Sequence, residues 1–505
     1  MANPFVGETK LWSDKLLSAV LQRSHSTDWS SKMEAAFHDL YGSDGGHYRN
    51  VAKNTVKPRI PKYPTLGEDD TAVPFAALIH PRNPDSSLYG GMSIAIFPAE
   101  NSPCLLTFVV GTNGLAPDDN ILGRPGHARK VKAICSWLNK KYGGNRLVAW
   151  AKQEPARTDE PLPKNVSDQF PQYSRVFKKY GDFMYGVFVP IDEGPSTLEA
   201  LTAFFDLMFD ERGERPLGAS SKDSDRIRNE WMESLLPDVS DKDVADLLNQ
   251  RRYVILEGPP GTGKTRMAQE LIRNQYSGRG RTIQFHASTT YEDFVGGLAP
   301  QLDAGGFGFR FAPKKGHLIT AAEDARKEKG NYLLHIDEIN RADMSKVLGE
   351  AIYLLEADEK IPREISLSYD FGPPLGNKLS LPENLHIIGT MNTADRSLAV
   401  VDVAVRRRFA FQKMWPQMSV AARQGACEPM QQAFRELVSI FVEHASNESF
   451  DLMPGHSYFL EKDEGRARQR LKVTLKPLIE EYLAQGYVAS FAEPLRSYLQ
   501  RIDIL

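Results

Sequence analysis

Cysteine is scarce in this 505-residue chain: only Cys104, Cys135 and Cys427 occur, far apart and with no CxxC pair. That excludes a disulfide framework and a cysteine-ligated zinc site, and it fits a reducing, cytoplasmic compartment. No run approaches the roughly 18 apolar residues of a membrane-spanning helix, so no membrane partner is expected. The start, Met1-Ala-Asn-Pro-Phe-Val-Gly, enters mixed polar sequence without the apolar core of a signal peptide. Charge of one sign is lacking too: 62 Lys and Arg against 65 Asp and Glu leave a net charge of -3. Any nucleic-acid surface must therefore be a local patch. There is no internal repeat and no low-complexity tract, which excludes solenoids and disordered tails.

What remains is ordinary globular composition, 41% hydrophobic and 25% charged, in a chain long enough for two to four domains. Residues 1–215 read as a mixed α+β unit. Phe75–Ile79, Met92–Phe97 and Leu105–Val110 are β-rich runs, the last two close enough to be sheet neighbours. Gly126–Tyr142 reads as a helix with Val131, Ile134, Cys135 and Leu138 on one face. Tyr185–Val189 is another strand. Thr197–Asp210 is a second helix, its apolar side Leu198, Leu201, Phe204, Phe205 and Met208. Glu211–Ser224 is polar, with Gly213, Pro216 and Gly218, and reads as an exposed joint. An αβ nucleotide-binding domain follows over 225–415, then a helix-rich tail over 417–505, with helices expected at Pro429–His444 and Leu471–Leu483.

The chemistry begins at Gly258-Pro-Pro-Gly-Thr-Gly-Lys264-Thr265. It follows the apolar run Tyr253–Leu256 and precedes a helix-like segment, the order a phosphate-binding loop needs. Gly258, Gly261 and Gly263, with Pro259, Pro260 and Thr262, let backbone N–H groups turn in around phosphates. Lys264 supplies charge to the outer phosphates, and Thr265 offers a hydroxyl to Mg2+. About 75 residues on, Tyr332–Ile336 ends in Asp337-Glu338. Strand carboxyl ends are where parallel αβ sheets bind ligands. Asp337 can hold Mg2+ directly or through water, and Glu338 can polarise a water for in-line attack.

A third strand-like run, Leu385–Met391, ends in Asn392, whose amide can orient the attacking water or sense the terminal phosphate. Arg406-Arg407-Arg408 beside Phe409 cannot all be buried unpaired. They read either as a solvated helix end or as an arginine finger reaching a neighbouring subunit's site.

These residues resemble the AAA+ ATPases, and more narrowly the McrB-type motors of modified-cytosine-dependent restriction systems. The resemblance is carried by Ile336–Glu350 and Met391–Phe409. Phe285-His286, Tyr291–Phe294 and Pro454-Gly-His-Ser-Tyr-Phe459 also carry it, and it spans roughly residues 235–495. It implies an AAA+ domain with a parallel sheet and a C-terminal helical lid, in a homo-oligomeric ring, typically a hexamer. It also implies a McrC-like nuclease partner, double-stranded DNA as the track, and hydrolysis of ATP or GTP with Mg2+. Asp395 and Arg396 carry over as signature residues near the hydrolysis site, and Arg408, then Arg406, as the finger. The base of the nucleotide stays open, because phosphate-loop chemistry does not read it. A MoxR-like remodeller of protein complexes and a nucleotide-gated scaffold remain the alternative classes.

In the N-terminal unit Arg124, His127, Arg129, Lys130, Lys132, Lys140, Lys141 and Arg146 form a basic segment. Lys53, Lys57, Arg59 and Lys62 form another, beside Tyr63. Nearby Trp137, Tyr142 and Trp150 suit DNA backbone contact, and a helix with solvated lysines explains them equally.

Overall fold

The computed structural model describes residues 11–22, 28–42, 45–61, 73–191, 194–302, 309–356, 363–395 and 402–504. The chain divides into two compact units, Met1–Leu236 with Val442–His444, and Pro237–Phe441 with Ala445–Leu505.

The first unit holds β1 (Lys57–Arg59), β2 (Ala76–Ile79), β3 (Met92–Ala99), β4 (Ser102–Val110), β5 (Ala149–Ala151) and β6 (Met184–Phe188). They form one sheet in the order β1-β2-β3-β4-β6-β5, every pair antiparallel. The runs at Met92 and Leu105 do pair, with Ile94 opposite Phe108. All of β3 is buried because the sheet is covered on both faces. Strand alternation sends Ile94, Ile96, Leu106 and Phe108 into one core, and Ala95, Phe97, Leu105 and Val109 into the other. The helices Pro125–Leu138 and Pro195–Glu211 close the first core with Val131, Ile134, Leu138, Leu201, Phe204, Phe205 and Met208. Tyr173, Val176 and Phe177 close the second.

The expected joint at Glu211–Ser224 is not one. Glu211 ends a helix with its side chain only 1% exposed, and Gly218–Leu235 is a single helix. Its buried stripe is Ser220, Ser224, Ile227 and Trp231. That is helical 4-3-4 spacing, but its first half is serine, so hydrophobic periodicity does not register it. Small side chains there let the helix lie close to its neighbours.

The second unit contains β7 (Tyr253–Gly258), β8 (Gly280–Gln284), a hairpin of β9 (Gly296–Leu302) and β10 (Phe309–Lys315), and then β11 (Tyr332–Asp337). A second hairpin, β12 (Glu364–Ser366) with β13 (Lys378–Ser380), precedes β14 (Leu385–Asn392) and β15 (Ala410–Lys413). The main sheet is five-stranded and wholly parallel, in the order β15-β7-β14-β11-β8. Its strands are apolar on both faces: Tyr253 and Ile255 enter one core, Val254 and Leu256 the other. Because β14 lies between β7 and β11, the strand ending in Asn392 separates the phosphate loop from the acidic pair. Helices dominate after Met418, including Glu428–His444, Lys476–Ala484 and Ala492–Ile504. The expected α/β class therefore holds: a mixed α+β N-terminal unit, a parallel αβ core and a helical C-terminal region.

Candidate nucleotide site

β7 ends at Gly258, and the loop delivers the chain to the helix Lys264–Asn274. Gly261 and Gly263 have φ of +80° and +84°, a conformation that glycine adopts without strain. Lys264 is 6% exposed. Its ammonium donates to the carbonyls of Gly258 at 2.9 Å and Pro259 at 2.7 Å. Burial lowers its pKa to about 8, against the opposing pull of Glu338 and Asp337.

The acidic pair sits across the sheet end. Thr265 Oγ1 donates to Asp337 Oδ1 at 2.8 Å, and Thr390 Oγ1 donates to the same oxygen at 2.5 Å. A hydroxyl and a carboxylate side by side are the hard oxygen donors that Mg2+ takes, so Thr265 and Asp337 fit the ion that the phosphate loop implies. Asn392 Nδ2 donates to Glu338 Oε1 at 2.8 Å, and Arg341 pairs with Glu338 Oε2 at 3.0 Å. Both oxygens of the expected base are thus engaged. Glu338 itself has φ +55°, a left-handed backbone unusual for glutamate and typical of sites under functional constraint. The Asp395 carboxylate strengthens the charge on Arg341, whose pKa rises chiefly through its bond to Glu338. Sequence reading had not singled out Thr390 or Arg341.

Beside the loop lies a cleft of about 380 Å³. It is lined by Val239, Thr262, Gly263, Met267, Trp415 and His456, among others. The turn at Pro454–Tyr458 is pinned to the phosphate loop by main-chain bonds. Gly455 N donates to Pro260 O at 2.9 Å, and Ser457 N to Gly261 O at 3.1 Å. The cleft gathers residues more than 200 positions apart; the phosphate loop and the Pro454–Phe459 segment stand out in the sequence, and Val239 and Met267 do not.

The three arginines are not equivalent. They end the helix Val403–Arg408. Arg406 and Arg407 are exposed, and the Arg406 guanidinium lies 5.2 Å from the Phe411 ring centre. Arg408 is half-buried and folds back on its own helix, donating to Ala404 O at 2.9 Å. Arg396 lies outside the described residues.

The AAA domain family of the dynein-related subfamily matches residues 253–409. The chain is 32% identical over 352 residues to the EcoKMcrB subunit of the type IV methyl-directed restriction enzyme of Escherichia coli K12. That match takes in 64% of this chain and 75% of the relative. The chain belongs to the McrB family. It is also similar to the YdiS component of the Bacillus subtilis type II restriction enzyme BsuMI, at 27% over 197 residues, 32% of this chain and 56% of YdiS. Yeast cytoplasmic dynein heavy chain is 29% identical over 147 residues, 29% of this chain and 3% of that protein. A McrB-family chain carries an AAA+ nucleotide-binding domain, which implies nucleotide and Mg2+. No helix among the described residues is long and apolar enough to cross a membrane.

The N-terminal unit of this McrB-family protein has a second cavity, of about 430 Å³. Phe75, Tyr89, Phe97 and Tyr180 surround it, with Arg59 and Lys179 in its wall. The Phe75 ring lies 6.0–6.4 Å from the other three, and Phe97 to Tyr180 is 5.4 Å. Sequence reading placed Phe75 and Phe97 in strands and did not foresee their convergence.

The first half of the basic segment, Arg124 to Lys130, is turned inward, and the second half is exposed. Lys130 is 7% exposed and ion-paired with Glu211, and Arg124 reaches Glu211 at 2.8 Å. Lys141 bonds Glu199 and Glu230 at 2.7 Å each, and Trp137 is buried. Lys132, Lys140, Arg146 and the ion-paired Lys141 stay exposed. In the other cluster Lys57 pairs with Asp85 at 2.7 Å, and Lys62 and Tyr63 lie outside the described residues.

Proposed function

We propose that this chain is the NTP-hydrolysing motor subunit of a McrBC-like restriction or antiviral complex. It would work as a ring, a hexamer by family expectation, on double-stranded DNA, with a McrC-like nuclease subunit doing the cutting. The observation that carries this reading is the convergence of Lys264, Asp337, Glu338 and Asn392 at the ends of three adjacent parallel strands.

The residues divide the work as follows. Lys264 exchanges the Gly258 and Pro259 carbonyls for the outer phosphates of ATP or GTP. Thr265 and Asp337 hold Mg2+, which screens phosphate charge when bound. Glu338 accepts the proton of the attacking water, and Asn392 fixes the carboxylate that receives it. An arginine of the neighbouring subunit, Arg408 first and Arg406 second, supports the charge on the transferring phosphoryl group.

The N-terminal unit selects the target. The E. coli relative is named as methyl-directed, and the aromatic cavity at Phe75 and Tyr180 supports recognition of a base extruded from DNA. Stacking rings and flanking cations suit that chemistry.

The test is direct. Lys264→Ala should weaken nucleotide binding and turnover together. Glu338→Gln should keep binding and lower turnover by about two to four orders of magnitude. Wild-type turnover in Glu338→Gln overturns the assignment. For the target, Phe75→Ala with Tyr180→Ala should remove any preference of the full chain for modified over unmodified DNA. Failure of the parent to bind any DNA moves this unit to protein recognition.

A further inference from the structure

The cleft beside the phosphate loop is lined by several polar side chains, and the fold fixes the hydrogen-bonding role of one ring among them. His456 is 9% exposed, and the main-chain N–H of Gln417 donates to its Nδ1 at 3.3 Å. A peptide N–H can only donate, so Nδ1 is the acceptor and the proton of the neutral ring sits on Nε2. Burial, with Arg266 and Arg423 nearby, lowers the ring's pKa to about 4 against the pull of Asp238, so it is neutral at physiological pH.

Nε2 points toward the loop: it lies 3.7 Å from where a Cβ on Gly263 would stand. Among the described residues no group accepts its proton. The ring's place is set by the two main-chain bonds of Gly455 and Ser457 to Pro260 and Gly261. The other walls offer apolar surface for the faces of a flat ring, from Val239, Met267 and Trp415. Thr262 Oγ1 is not a free donor there, since it is spent on Pro259 O at 3.0 Å.

A nearly buried N–H held toward a cleft of mixed lining, with apolar wall at Val239, Met267 and Trp415, next to a triphosphate site is complementary to an in-plane acceptor on a base. We propose that His456 is a specificity-determining residue that donates Nε2–H to N7 of a purine nucleotide. N7 is common to adenine and guanine, whereas pyrimidines carry no ring nitrogen in that place. His456 therefore selects purines over pyrimidines and leaves the choice between ATP and GTP to other groups. The inference rests on the NTP-hydrolysing reading above and goes beyond it by naming the edge of the base and its partner.

The experiment is a cycle on the full-length chain with Mg2+, read as competition against a fluorescent nucleotide. The ligands are ATP, GTP, their 7-deaza analogues, CTP and UTP. The parent should bind the 7-deaza form of its preferred purine nucleotide roughly fivefold more weakly than the natural one, the effect of one neutral hydrogen bond. His456→Phe, which keeps a flat ring and loses the donor, should bind the two forms equally. His456→Gln, whose amide N–H can reach the same place, should keep part of the difference. An equal penalty in parent and His456→Phe, or none in the parent, overturns the proposal. If His456→Phe fails to fold, absence of a penalty in the parent still overturns the proposal, and an undiminished penalty in His456→Gln counts against His456 as the donor. Failure of the parent to bind any of the four natural nucleotides is a different result: it removes the hydrolase reading itself.

Discussion

Gly455→Ala should disable the nucleotide site without touching a catalytic residue. A Cβ at 455 would stand 2.1 Å from the carbonyl carbon of Gly261, 2.2 Å from its oxygen and 2.5 Å from Thr262 N. All three are main-chain atoms of the phosphate loop, so no rotamer change relieves the clash. The turn must retreat by about an ångström, which stretches the 2.9 Å bond from Gly455 N and the 3.1 Å bond from Ser457 N beyond useful length. Two lost hydrogen bonds and the residual overpacking amount to about 2–4 kcal/mol. If that is charged to the nucleotide-ready loop, affinity falls roughly 30-fold or more. The assay is nucleotide titration of the purified variant alongside thermal unfolding. Gly465→Ala is the control, since its Cβ meets only the exposed Asp463 carboxylate that caps its helix, at 3.2 Å, and no atom of the phosphate loop. It should change stability by less than about 1 kcal/mol. Parent-like affinity and melting in Gly455→Ala would refute the claim that this turn braces the loop.

Two further outcomes are expected. Arg408→Ala should cut turnover more than affinity, and mixing it with Glu338→Gln subunits should restore activity where an intact Glu338 meets an intact Arg408. No recovery at any ratio, in rings shown to be mixed, moves the role to Arg406 or Arg407. In the N-terminal unit, burial raises the Glu211 carboxyl, but His127 and Lys130 outweigh it and bring the pKa from 4.5 to about 2. The folded value is the depressed one, so this stabilisation is present above pH 4.5 and is lost as pH falls toward 2. It is worth about 3 kcal/mol. Urea unfolding of Glu211→Gln should show a deficit at pH 7 that shrinks by pH 3, and an undiminished deficit there contradicts the linkage.

The parallel core was legible because its strands are short apolar runs that end in chemistry: Gly258 after Leu256, Asp337 after Ile336, Asn392 after Met391. Loop geometry, acid pair and amide each have a local pattern that one strand and its turn suffice to produce. The remainder depends on residues distant in sequence. Thr390 looks like any strand threonine until β14 is seen between β7 and β11. Ser220 and Ser224 look like linker until a helix face is seen to press on them. Lys130 and Lys141 look like a nucleic-acid surface until Glu211, Glu199 and Glu230 arrive from other helices to pair with them. A basic run on a helix reports composition, whereas its availability to DNA depends on which acids the fold brings opposite.

The same reasoning explains how the site is poised. Lys264 is held by the loop's own carbonyls, Asp337 by Thr265 and Thr390, and Glu338 by Asn392 and Arg341. No charged group of the constellation is left buried without a partner, so its geometry can persist without a large desolvation penalty. On the proposed reading, a nucleotide would exchange phosphate oxygens for the carbonyls at Lys264, and Thr265 and Asp337 would be the residues to hold Mg2+. Glu338 is the exception. It is clamped from both sides on a left-handed backbone, and on the proposed reading an attacking water would have to share an oxygen with Asn392 or displace Arg341. Arg341 is the more exposed of the two partners, half-exposed on the turn after β11, with the Asp395 carboxylate near enough to act on its charge.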